Sequence, residues 1–75
     1  MIKKLSEMKA KQIGVIKGFK SLSDGNLRKL LALDLVPGAN IQIVARFPTF
    51  VIRSYYSEVA IDDQLAAEIE VEFAE

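Results

Sequence analysis

The residue types that usually carry chemistry are scarce in this chain. It contains no histidine and no cysteine. The commonest general base, the commonest transition-metal ligand and any thiolate chemistry are therefore missing. Serines stand at Ser6, Ser21, Ser23, Ser54 and Ser57, with no imidazole to activate them. Asp62 and Asp63 form a carboxylate pair, but sequence neighbours diverge in direction, and capping a helical turn suits them better than shared acid–base work. Glu58, Asp62 and Asp63 offer oxygen to a hard cation. Ferrous iron at a functional site generally also takes imidazole or thiolate. The Gly-x-x-x-x-Gly-Lys-Ser/Thr phosphate loop is absent. The expectation is a protein with no catalytic residue, no cofactor and no dedicated metal ligand, hence not an enzyme.

What remains is contact. Phe47, Phe50, Tyr55 and Tyr56 fall close together on one predicted hairpin. A small core buries about half of such a group, which leaves one or two rings for a partner. Arg28 and Lys29 lie on a predicted helix, turned away from its leucines. Net charge is zero, but residues 1–30 hold eight lysines and arginines against Glu7 and Asp24. Residues 58–75 hold seven acids and no base. Solvated faces that meet in the fold and cancel account for this; an electrically polarised surface that orients a partner is the sharper alternative. With no net positive charge and no binding motif, nucleic acid is not an expected partner, although small barrels of this size do bind RNA and DNA.

The elements that position these residues follow from periodicity. Seventy-five residues make a single domain, 1–75. Leu27, Leu30 and Leu31 recur at helical spacing and are expected to form one buried face. The helix is predicted over roughly 24–33, with Ser23 or Asp24 as its N-cap. Asp34 then occupies the C′ position with positive φ, a place glycine fills best. Pro37-Gly38 is a turn dipeptide, with proline fixing φ and glycine accepting a positive value. Strands are predicted near 11–17, 40–47, 50–56, 57–61 and 69–73 from alternating or β-branched runs. Gly14, inside the first of these, implies a bulge, a bend or close backbone approach. Leu5–Met8 reads as a short lead-in turn, and Asp62 or Asp63 caps a brief turn over Gln64–Ala67. The predicted fold is mainly β: a small SH3-like barrel of about five strands, with one α-helix inserted between the first two.

No apolar run approaches the roughly 20 residues of a membrane span, so insertion is not expected. Met1-Ile2-Lys3-Lys4 is not followed by an apolar signal core. A cytoplasmic protein beginning at its own start codon is expected.

The segment Arg28-Lys29-Leu30-Leu31-Ala32-Leu33-Asp34-Leu35-Val36-Pro37-Gly38, the hairpin after it, and the close Val59-Ala60-Ile61-Asp62-Asp63-Gln64-Leu65-Ala66-Ala67-Glu68-Ile69-Glu70-Val71 resemble the FeoA family of bacterial ferrous iron uptake. The same domain closes the DtxR-type metal-dependent repressors. The resemblance covers nearly the whole chain, and its most specific part is the junction from helix to Leu-x-Pro-Gly. It departs where the family usually has glycine: at Asp34, near Ala10 or Lys11, and in the hairpin near Ser57. The resemblance implies an accessory protein that docks on the cytosolic, GTPase-bearing region of the permease FeoB and modulates it. It also implies a transition-metal association at the level of the family. On that reading Arg28, Lys29, Phe47, Phe50, Tyr55 and Tyr56 are the candidate contact residues, and self-association is left open. A stand-alone regulatory module related to the repressor domain is the alternative, and a small nucleic-acid-binding barrel a third.

Overall fold

The computed structural model describes residues 1–55 and 57–73. Its backbone forms one antiparallel sheet of six strands: β1 (Ile2–Lys4), β2 (Ile13–Phe19), β3 (Asn40–Ala45), β4 (Phe50–Ser54), β5 (Ser57–Ile61) and β6 (Ile69–Glu72). The order across the sheet is β1-β6-β2-β3-β4-β5. Two helices, α1 (Asp24–Ala32) and α2 (Asp63–Ala67), and a 3₁₀ turn at Leu5–Glu7 complete it. The sheet curls over one core, and this is the SH3-like architecture the periodicity predicts.

There are six strands where five are expected. The extra one, β1, pairs with β6 through Ile2–Glu72, Lys3–Val71 and Lys4–Glu70. All three of its side chains are exposed, so it leaves no alternation to read. The helix consequently lies between the second and third strands. Strand ends also move. β2 begins at Ile13 because Lys11 turns the chain with φ of 73°. β4 ends at Ser54 because Tyr55, with φ of 54°, opens the next turn. β3 stops at Ala45 after a register shift beyond Ile43, which carries Phe47 out of the inward row that Ile41 and Ile43 keep.

The core is filled from every element but β1. Ile16, Ile43, Ile52, Ile69 and Val71 point inward from the strands, all at 0% exposure. Leu5 and Met8, Leu30 and Leu35, and Leu65 and Ala66 of α2 join them in one cluster. Gly14 is a close approach: a Cβ there would lie 2.5 Å from Val71 Cγ1 and 3.0 Å from the Glu72 carbonyl oxygen. No helix among the described residues is long and apolar enough to cross a membrane.

Candidate functional site

The helix α1 is built as its sequence dictates. Ser23 is the N-cap, its Oγ accepting from the Asn26 amide at 3.1 Å. At the other end the Asp34 amide donates to the Leu31 carbonyl at 3.1 Å and the Leu35 amide to the Leu30 carbonyl at 2.9 Å. With Asp34 at φ of 60°, this is the paired bonding of a Schellman cap. The Ala39 amide then returns to the Val36 carbonyl at 2.9 Å across Pro37 and Gly38. Gly38 has φ of 95°, as the third residue of a type II turn requires.

One face of this helix departs from expectation. Leu30 is fully buried, but Leu27 is 36% exposed and Leu31 47% exposed. The leucine face predicted as core is core at one residue only, because the barrel meets the helix along a line through Leu30 and reaches no further round it. Arg28 and Lys29 are exposed, as their positions predict.

Among the described residues, the aromatic group does not form one exposed patch. Phe50 leaves the contact set: it starts β4 facing inward and is 5% exposed. Tyr56 lies outside the described residues. Phe47 and Tyr55 are both largely exposed but sit at opposite ends of β4, on the order of 15 Å apart by strand rise. The Ile41–Ser54 pairing sets the Tyr55 turn beside the start of β3, where α1 feeds in. Phe47 lies at the far end, near the 3₁₀ turn and α2.

There Phe47, Pro48 and Phe50 line a shallow cleft of about 270 Å³ with Ser6, Arg46 and Asp63. The Arg46 guanidinium lies 5.5 Å from the Phe50 ring centroid and donates from Nη2 to the Ser6 carbonyl at 3.2 Å. Sequence reading missed Arg46, because only the folded chain brings Ser6, Arg46 and Asp63 together.

The candidate carboxylates have other partners. Asp62 Oδ1 accepts from the Leu65 amide at 2.7 Å, capping α2. Glu58 accepts from Arg53 Nε at 3.1 Å. Among the described residues no three acidic side chains come together as an ion-binding group. Of the serines, Ser23 is a cap and Ser54 is 4% exposed, with its Oγ unpartnered among the described residues.

The FeoA domain family profile matches residues 3–73. Among solved structures, an iron uptake regulatory protein (FeoA) superposes with a TM-score of 0.86 at 28% identity, over 96% of each chain. A Stenotrophomonas maltophilia FeoA, solved with zinc and described as a prokaryotic SH3 domain protein, gives 0.80 at 23% identity over 96% of this chain and 89% of the other. A manganese-dependent transcriptional repressor gives 0.89 at 14% identity; 97% of this chain covers 42% of that one. A search of curated protein sequences finds no match.

Proposed function

Because this chain belongs to the FeoA family, we propose that it is a cytoplasmic accessory protein of ferrous iron uptake that binds the permease FeoB and modulates it by contact. The observation that carries this is the family match along residues 3–73. A relation to ferrous iron transport follows from the family; the partner and its effect are our reading. The chemistry of the chain supports a docking role: no imidazole, thiolate or phosphate loop is present in the sequence. Arg28 and Lys29 are the exposed cations we assign to the encounter. Tyr55, at the end of the sheet where α1 enters β3, is the aromatic contact, and Phe47 borders a separate surface. Charges placed this way steer encounter with an acidic face.

The second reading, a stand-alone regulatory module, is supported by the likeness in fold to the manganese-dependent repressor. The two separate in one titration. Wild-type protein is titrated with the purified cytosolic GTPase-bearing region of the permease and with the intact permease in detergent. Saturable binding that weakens with added salt is expected. Absence of binding to both overturns the first reading and favours the second.

A further inference from the structure

We propose that the exposed leucine stripe of α1, Leu27 and Leu31 with Arg28 on its margin, is the docking surface, and that it receives a protein segment with apolar side chains edged by carboxylates. This rests on the docking reading above and adds where the partner sits and what recognises it.

Single exposed leucines need no explanation. These two stand one turn apart on the same side of α1, with Cβ atoms roughly 6 Å apart by helix geometry. Their spacing is that of a buried face, yet they are 36% and 47% exposed while Leu30 alone in the helix is buried. At 3.6 residues per turn, Arg28 lies about 60° round from Leu31, and Lys29 about 160° from it. Arg28 therefore borders the stripe and Lys29 does not.

Charge decides the occupant. Arg28 is exposed and has no carboxylate within ion-pair distance among the described residues. Its planar guanidinium is available for a bidentate carboxylate. Asp24, a turn earlier on the same side of the helix, makes no ion pair with Arg28 and sits at the helix N-terminus, where the macrodipole stabilises its charge. A second copy of this chain is a poorer occupant: packed antiparallel about a two-fold axis over the stripe, it sets Arg28 beside its own counterpart, and like charges across an interface are costly. An amphipathic acidic segment meets both features at once, as in helix-in-groove recognition.

The test uses purified full-length protein and the cytosolic region of the permease, by calorimetric or fluorescence titration, with circular dichroism as the folding control. Leu31→Ser is expected to weaken binding about tenfold or more, as truncation of an interface anchor does, and Leu31→Met to restore it. Leu27→Ser, a second variant at a site less central to the stripe, is expected to weaken it less. Arg28→Glu is expected to weaken binding more than Lys29→Glu, whereas diffuse steering would weight them alike. Ile13→Ser, which removes an exposed side chain from the outer surface of β2, is expected to leave binding unchanged. If wild type binds and both serine variants on α1 bind as tightly, the stripe is not the docking surface, although the permease reading stands. If wild type itself does not bind, the permease reading has failed first. If sedimentation shows a wild-type dimer that Leu31→Ser dissociates, the occupant is a second copy and the proposal is overturned.

Discussion

The Leu35 amide closes onto the Leu30 carbonyl at 2.9 Å, and both side chains are wholly buried. This one pair ends the helix, anchors it to the core and turns the chain toward β3. It holds Asp34 between the two at φ of 60°. A Cβ in that conformation costs roughly 1 kcal/mol, and glycine avoids it. Asp34→Gly is expected to stabilise the protein by about 1 kcal/mol, seen as a higher denaturant midpoint at unchanged slope. A loss of stability would mean that the Asp34 side chain has another role.

The opposite holds for Gly14. An added methyl meets Val71 Cγ1 at 2.5 Å, backbone oxygen of Glu72 at 3.0 Å and Met8 Cε at 3.3 Å. Two of these contacts are with buried side chains and one with the backbone, so little can give. Gly14→Ala is expected to destabilise by about 1–3 kcal/mol, the range of core overpacking. Gly25, in the first turn of α1, has nothing within 4 Å of such a methyl. Gly25→Ala is expected to stabilise by up to about 1 kcal/mol. Thermal denaturation of the two variants side by side checks both signs.

Ser54 Oγ is buried without a hydrogen-bond partner among the described residues. An unmet hydroxyl in an apolar setting costs about 1–3 kcal/mol. Ser54→Ala is therefore expected to be neutral or stabilising, in contrast to the usual cost of a core substitution. A clear loss in chemical denaturation would show that the hydroxyl does have a partner.

Isolated protein is expected neither to hydrolyse nucleotides nor to bind ferrous iron tightly. Two of the three carboxylates offered to a metal by the sequence have partners, Glu58 in Arg53 and Asp62 in the Leu65 amide. Asp62→Ala is expected to cost about 1 kcal/mol as a lost cap. Anaerobic calorimetry checks the first statement; stoichiometric sub-micromolar binding of ferrous iron would refute it.

Most of the fold was legible because period carries it. The runs Asn40–Ala45 and Ile69–Glu72 alternate, α1 has helical spacing, and its two ends carry recognisable caps. The three turns where the sequence resemblance implies glycine hold other residues at positive φ: Lys11 at 73°, Asp34 at 60° and Tyr55 at 54°. What period could not report is which side of an amphipathic element has a neighbour. Leu27 and Leu31 obey the helical pattern as well as Leu30 does; only the line of contact with the barrel separates them. The described aromatic residues divide for a related reason. Residues close in sequence lie far apart when a strand runs between them, and Phe47 and Tyr55 flank β4. The cleft around Arg46 joins three segments distant in the chain, a juxtaposition set by topology alone.

The last strand among the described residues, β6, lies between β1 and β2 in the sheet. During synthesis, then, β2 to β5 emerge with their hairpins ready to pair, but β1 has no neighbour until residues near position 70 leave the ribosome. Loop closure between β1 and β6, about 70 residues apart, is the slow kind of contact. A nascent chain stopped before Ile69 would expose the inner face of β2, with Ile16, and leave Leu5 and Met8 uncovered. Completion of the core therefore waits on Ile69 and Val71, the two buried side chains that β6 supplies.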